Sequence, residues 1–240
     1  MKKEDDLLKW TNWDNGLHTS LIARWPGQIP ANVRTQAIVQ YTDIVPTLLD
    51  LVGQKPDPEK FDGTSFAAVL HGERETHREF AYGMHNNFPE GPSYPIRSVT
   101  NGEWRYIRNL TPEKLYIEKH LLGKNDHNPY RQTWVFSSFS KSHHEMLVNR
   151  YMKRPAEQLY HTTEDPFEMT NLATNPTHVE IKKHLSAALD VQLKEQGDPG
   201  IPLIRKKPTA PPPTSPPSSP ANRKERGFAT PRPQPKLSIS

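Results

Sequence analysis

The chain has 240 residues, of which 33% are hydrophobic, and it carries a formal net charge of +4. It contains no cysteine, which excludes disulfides, thiolate-bound metals and a cysteine nucleophile. The positive charge lies in residues 205–240, which hold eight lysines and arginines against one glutamate, whereas residues 1–204 hold 23 basic and 26 acidic side chains. This distribution argues against a nucleic-acid-binding protein, and no apolar run is long enough to span a membrane.

The segment 9–27 is unusual in composition. It begins with Lys9 and continues with two tryptophans, an Asp-Asn-Gly turn and His18. The run 17–25 alternates weakly between apolar and polar residues and stops at Pro26, so a strand is predicted there. A lysine before such a turn and strand is typical of an anion-binding loop, but also of an ordinary surface loop, and spacing alone favours the second interpretation.

Residues 42–53 have the apolar spacing of a helix. Pro46 is tolerated in its first turn, where no intrahelical donor is needed, and Gly53 can end it as a C-terminal cap. A strand followed by a connection and this helix is an order typical of the edge of an α/β sheet.

The region 54–79 is rich in loop-forming residues. A turn at 62–65 leads into a short predicted helix over 66–70. His71 and His77 in this region are expected to be solvated.

From residue 80 the apolar period changes to two. Strands are predicted over 80–85, 96–100, 104–110 and 158–162. Asn101 and Gly102 between the second and third strands form a strong hairpin signal. The pattern predicts a small antiparallel sheet rather than a continuation of a parallel one.

Three further helices are predicted. They lie over 113–122, 143–151 and 177–196, and the last has five apolar residues on one side and is expected to cover the small sheet. The Pro-rich, basic segment 205–240 is predicted to be disordered, because it has too little apolar surface to offset the entropy of ordering. No apolar signal sequence is expected at the start of this chain.

Several stretches are specific enough to compare with a known family. They are Lys9 with Trp-Asp-Asn-Gly at 13–16 and Arg-Trp-Pro-Gly at 24–27; Asp-Ile-Val-Pro-Thr-Leu-Leu-Asp at 43–50; Asp-Gly-Thr-Ser at 62–65; Tyr-Pro-Ile-Arg-Ser-Val at 94–99 with Trp-Arg-Tyr-Ile at 104–107; and Arg-Pro-Ala-Glu at 154–157 with Asp-Pro-Phe-Glu at 165–168 and Asn-Leu at 171–172. In this order they resemble the C-terminal portion of the sulfatase family of the alkaline phosphatase superfamily. The blocks at 94–99 and 154–157 are similar to its heparan N-sulfatase (sulfamidase)-like branch.

The resemblance implies a fold and a reaction. Residues 1–60 would form the C-terminal edge of the sulfatase α/β sheet, and 61–204 a C-terminal α+β subdomain with an antiparallel sheet and a covering helix. The reaction implied is hydrolysis of sulfate esters or N-sulfates, with a sulfated saccharide as substrate. The family uses a formylglycine made from Cys or Ser in a C/S-x-P-S-R motif, beside a divalent cation that is usually calcium.

The resemblance also implies roles for individual residues. Lys9 corresponds to the family lysine that contacts the sulfate. His18, His85 and Arg97 are candidate substrate-binding residues, against the alternatives of a solvated histidine or a side chain with a structural role. No calcium ligand is carried over onto this chain, because the expected Asp and Asn residues are not found in their family context.

The expected nucleophile is not found either. Ser93 opens a Ser-x-Pro-x-Arg stretch, but Ile96 stands where the motif needs a small residue and the stretch follows the lysine block. The favoured hypothesis is a sulfatase C-terminal part that is inactive alone, with the missing N-terminal half of a sulfatase as a possible partner. The alternatives are a non-catalytic module that binds sulfated glycans and the product of a broken gene. Neither nucleic acid nor membrane is an expected partner.

Overall fold

The computed structural model describes residues 11–88, 91–117 and 130–201, and of 130–132 it describes the backbone alone. All the described residues belong to one compact unit. Its helices and strands, in chain order, are α1 (Asp14–Leu17), α2 (Ile44–Leu51) after a 3₁₀ turn at Tyr41–Asp43, α3 (Ala67–Leu70), β1 (Ala81–His85), β2 (Ile96–Thr100), β3 (Trp104–Asn109), α4 (Tyr130–Ser138), α5 (Ser142–Met152), β4 (Glu157–His161) and α6 (Val179–Glu195) after a 3₁₀ turn at Pro176–His178.

The four strands form one antiparallel sheet in the order β1-β2-β3-β4. β2 and β3 are joined by the predicted Asn101-Gly102 hairpin, in which Gly102 has φ of +91°. That conformation favours glycine because it lacks a Cβ. The predicted antiparallel sheet is therefore confirmed, with strand ends that differ from the prediction by one residue at most.

The two faces of the sheet are covered differently because successive strand residues point to opposite sides. Helix α6 packs Leu185 and Leu189 on the face that carries Val99, Tyr106 and Leu159. The other face carries Ile96, Ile107 and Tyr160, and it is covered by aromatic side chains from Trp13, Tyr94 and Tyr116. The prediction that the last helix covers the small sheet is confirmed.

Strand β4 has no further strand beside it in the described sheet, and a side chain occupies part of its outer edge. The Asn171 Oδ1 atom accepts from the backbone N–H of Leu159 at 2.9 Å, and its Nδ2 donates to the Glu157 carbonyl at 3.1 Å. The Leu172 N–H donates to the Leu159 carbonyl at 2.8 Å. These bonds satisfy backbone groups that would otherwise be open to another chain.

Helix α2 is fixed by a buried carboxylate at its start. Asp43 accepts hydrogen bonds from the backbone of Gln40 at 2.8 Å and of Thr64 at 3.0 Å, and it pairs with Arg78. His77 lies 3.4 Å from the same carboxylate with its side chain largely buried, so the expectation of a solvated His77 is wrong. Burial is the main reason why the pKa of His77 is lowered.

The predicted strand over 17–25 is not formed. Residues 18–25 are irregular, and Ile22 is 90% exposed. A strand needs a neighbour that accepts its backbone hydrogen bonds, and no described segment pairs with this one. The weak alternation of residues 17–25 therefore predicted a strand, but none of the described segments pairs with it.

The other predicted helices have mixed outcomes. Ser142–Met152 confirms the helix predicted over 143–151, whereas Tyr130–Ser138 was not predicted. Residues 113–117 are not helical, and the rest of that predicted helix lies outside the described residues. The predicted disordered tail also lies outside them, and the domain boundary at residue 60 stays a prediction.

Candidate functional site

The segment that follows Lys9 is docked against the sheet rather than loose on the surface. Thr11, Asn12 and Trp13 are buried. The Asn12 side-chain amide donates to Ser98 Oγ at 3.1 Å, and the Trp13 indole N–H donates to Gln158 Oε1 at 3.0 Å. Hydrogen bonds to β2 and β4 therefore fix the orientation of this segment.

Close approach of the segment depends on Gly83 in β1. A Cβ atom at this position would lie 2.6 Å from Leu17 Cδ1, 2.6 Å from Ser98 Oγ and 3.3 Å from Asn12 Nδ2. A Cβ atom cannot lie this close to other heavy atoms unless those atoms move away. The absence of a side chain at Gly83 lets helix α1 lie directly on the sheet.

Helix α1 is held by a charge cluster in which Arg105 and Glu168 are buried and Asp14 is partly exposed. The Asp14 N–H donates to Glu168 Oε2 at 2.6 Å, and Arg105 forms an ion pair with the Asp14 carboxylate. Arg105 Nε also lies 3.3 Å from Glu168 Oε1, close enough for an ion pair but not aligned for a hydrogen bond. Burial, opposed by Arg105, raises the pKa of Glu168 to about 7.

A second buried cation is Arg154, and its neighbours among the described residues are aromatic side chains rather than carboxylates. Its guanidinium carbon lies 3.8 Å from the ring centre of Tyr116, 4.7 Å from that of Trp13 and 5.2 Å from that of Tyr151. Its Nη2 atom is buried with no hydrogen-bond partner among the described residues. Within the described part of the chain, cation–π attraction therefore takes the place of an ion pair, and burial lowers the pKa of Arg154.

The predicted substrate-binding residues occupy different environments. Lys9 lies outside the described residues. The His18 side chain is 74% exposed, with Nδ1 3.1 Å from Asp14 Oδ2. His85 is half-buried at the end of β1, where its Nε2 lies 3.3 Å from the Tyr116 hydroxyl. His18 thus lies beside Asp14 of the docked segment 11–17. His85 lies beside Tyr116, which belongs to the same apolar cluster as Trp13 of that segment.

Arg97 is buried and bonded within the chain. Its guanidinium forms an ion pair with Asp198 after helix α6, and Nη1 donates to Asn86 Oδ1 at 2.8 Å. Nη2 donates to the Gly200 carbonyl at 3.1 Å. Substrate binding by Arg97 stays a prediction, and these partners favour a structural role that joins the end of α6 to β2.

No metal centre can be assembled from the described residues. None of their His, Asp and Glu side chains form a group of three or more that could hold a metal ion. These residues therefore do not supply the cluster of carboxylates on which a protein calcium site is usually built. Within the same residues, no helix is both long and apolar enough to cross a membrane.

Sequence reasoning missed the charge cluster. Glu168 belongs to the Asp-Pro-Phe-Glu block, whose local pattern indicates the start of a turn and nothing about a distant contact. Its partner Asp14 is 154 residues away, and no local spacing rule connects them. The one signal in the sequence is that both residues lie in blocks that resemble the same family.

Comparison with known proteins gives the class of this molecule. An ulvan-active sulfatase of Formosa agariphila is 32% identical over 207 residues, covering 83% of this chain and 39% of that protein. Arylsulfatase G of Rattus norvegicus is 40% identical over 69 residues, covering 28% of this chain and 13% of that protein. The chain is thus similar to a C-terminal portion of sulfatases and spans about two fifths of the first relative.

The family match is more specific. Residues 8–120 match the family described as N-sulphoglucosamine sulphohydrolase, C-terminal. These matches support a C-terminal portion of a sulfatase, which confirms the resemblance found in the sequence. A protein solved with its substrate D-glucosamine-2-N,6-O-disulfate shares the fold, with a TM-score of 0.50 and 20% identity over 73% of this chain and 28% of that chain.

Proposed function

We propose that this chain is the substrate-contacting C-terminal part of a sulfatase that hydrolyses sulfate esters or N-sulfates of sulfated saccharides. Lys9, His18 and His85 are its proposed ligand contacts. The observation that carries the proposal is the docking of residues 11–17, because hydrogen bonds to the sheet and to Glu168 orient the segment that links Lys9 to His18. A sulfate pocket needs charged groups held in fixed positions.

The proposed contacts suit a sulfate group chemically. An ammonium group is a compact charge that can bind one sulfate oxygen at a time. The imidazoles of His18 and His85 can donate a hydrogen bond to another oxygen, and protonation would add positive charge. We assign no bond-breaking step to this chain, because it has neither a cysteine nor a Ser-x-Pro-Ser-Arg motif. Its described residues also supply no carboxylate cluster for the calcium that the family uses.

Binding and turnover can be tested separately. The purified chain should bind a heparin tetrasaccharide but release no sulfate from it or from an arylsulfate, with calcium present. Lys9→Ala should lose most of the affinity, whereas Lys60→Ala should not, because Lys60 is an exposed lysine paired with Asp57. Equal affinity in wild type and Lys9→Ala would contradict the proposal.

Two controls concern the basic tail and Ser93. Removal of residues 205–240 should leave the tetrasaccharide affinity largely unchanged; if affinity disappears, the basic tail binds the glycan nonspecifically. Mass spectrometry of the peptide that contains Ser93 should show unmodified serine. A formylglycine mass there, together with sulfate release, would show that the chain carries its own nucleophile.

The second candidate function is a non-catalytic module that binds sulfated glycans. It is favoured by the lack of cysteine and by the lack of a metal-binding group among the described residues. The two functions differ when the N-terminal portion of a related sulfatase is added to the chain. Sulfate release by the mixture, lost on Lys9→Ala, would favour the sulfatase; unchanged binding with no release would favour the module.

A further inference from the structure

The side chain of Glu168 is directed at helix α1 rather than at solvent. The residue is 1% exposed, and its Oε2 accepts the Asp14 N–H at 2.6 Å. Its Oε1 lies 3.3 Å from Arg105 Nε, and Arg105 also pairs with Asp14. Glu168 therefore binds the segment both directly and through a shared guanidinium.

The backbone of Glu168 is also held in place. Arg150 of helix α5 donates from Nη2 to the Glu168 carbonyl at 2.5 Å. Glu168 has φ of +51°, in the left-handed region that non-glycine residues seldom adopt. Such a backbone conformation is maintained only when the surrounding structure determines it. The Glu168 carboxylate is therefore held in a fixed position next to α1.

We propose that Glu168 is a positioning residue for the binding of sulfated ligands. It acts through Asp14 by holding residues 12–17, the segment that has Lys9 on one side and His18 on the other. Glu168 is too deeply buried to contact a saccharide itself. The inference rests on the proposed function, since it takes Lys9 and His18 as the ligand contacts.

Two substitutions separate the contributions of Glu168. Glu168→Gln keeps an oxygen that can accept the Asp14 N–H but removes the charge that Arg105 faces. Glu168→Ala removes both. Glu164→Gln is the matched control, because Glu164 is a carboxylate of the same turn whose side chain is 78% exposed.

The experiment measures docking and binding in the full 240-residue chain. Hydrogen exchange at the Asp14 amide, without ligand, reports docking of α1. Titration with a heparin tetrasaccharide reports affinity, under conditions where circular dichroism shows each variant to be folded. We expect Glu168→Ala to speed exchange at Asp14 and to lower affinity about tenfold, the equivalent of one lost buried charged hydrogen bond. Glu168→Gln should recover part of both, and Glu164→Gln should match the wild type.

The outcomes distinguish this inference from the proposed function. If Lys9→Ala loses affinity while folded Glu168→Ala binds as the wild type does, the positioning role is wrong and the proposed function stands. If neither substitution changes affinity, both are wrong. An equal loss in Glu168→Gln and Glu168→Ala, with unchanged exchange at Asp14 in both, would also overturn the inference, because the effect would not pass through docking of α1.

Discussion

The buried carboxyl of Glu168 should make stability depend on pH in a specific direction. Its pKa is raised from 4.5 to about 7, mainly by burial. A raised carboxyl pKa means that between these values the folded protein binds the proton more tightly than the unfolded chain does. This contribution to the free energy of unfolding is fully present below about pH 4.5 and is lost as pH rises through about 7.

The size of the effect follows from the shift. A shift from 4.5 to about 7 is worth roughly 3 kcal/mol at about 1.36 kcal/mol per pKa unit, and most of it falls between about pH 5 and about pH 8. The charged groups that face the carboxyl are Arg105 on β3, Asp14 on α1 and Arg150 on α5. Arg105, Arg150 and the hydrogen bond from the Asp14 N–H reduce the shift, whereas the Asp14 carboxylate increases it, and all of these effects are included in the raised pKa.

Urea unfolding at pH 5 and pH 8 measures this contribution. The free energy of unfolding of the wild type should fall by roughly 2–3 kcal/mol more on going to pH 8 than that of Glu168→Gln, because the amide does not titrate. Taking the difference between the two proteins removes titration common to both, including that of His77, whose lowered pKa acts in the opposite direction. Glu164→Gln should follow the wild type. The same pH dependence in wild type and Glu168→Gln would refute the reasoning.

Three further predictions concern the fold. Gly63→Ala should lower the free energy of unfolding by at least about 2 kcal/mol, because its Cβ would lie 2.1 Å from the Thr42 carbonyl oxygen; chemical denaturation measures this, and wild-type stability would contradict it. Asn171→Ala should cost about 1–3 kcal/mol and speed amide exchange at Leu159, which loses its acceptor; unchanged exchange would show that this edge is protected otherwise. Arg154→Met should be neutral or stabilising by thermal unfolding, because it replaces a buried cation whose described neighbours are aromatic side chains rather than carboxylates. A loss above about 3 kcal/mol would mean that the cation–π contacts outweigh desolvation.

The sequence predicted the parts of the fold that depend on local patterns. Alternating residues and the Asn101-Gly102 pair gave β2 and β3, and the apolar spacing of residues 177–196 gave helix α6, because period and turn chemistry are properties of neighbouring residues. The strand over 17–25 was predicted wrongly because alternation describes which side chains are buried and does not supply a pairing partner. The ion pair of Arg97 could not be predicted from local patterns either, because its partner Asp198 is 101 residues away.

Several blocks that carry the family resemblance contain side chains that join separate elements of the fold. Asp43 fixes α2 to the Thr64 turn, Asn171 covers the edge of β4, and Glu168 fixes α1. Each of these side chains is bonded within the protein, so a match at these positions reports that the fold is shared. It says little about the ligand.

Evidence on function must therefore come from residues whose side chains are not required for the fold. His18 meets this condition best among the described candidates, because its side chain is 74% exposed and its polar contact is with a carboxylate oxygen of Asp14 only four residues away. His85 is half-buried against Tyr116, so its replacement would change packing and binding together. A loss of affinity in His18→Gln with unchanged stability would thus be direct evidence for a ligand contact, whereas the same loss in His85→Gln would need a stability measurement beside it.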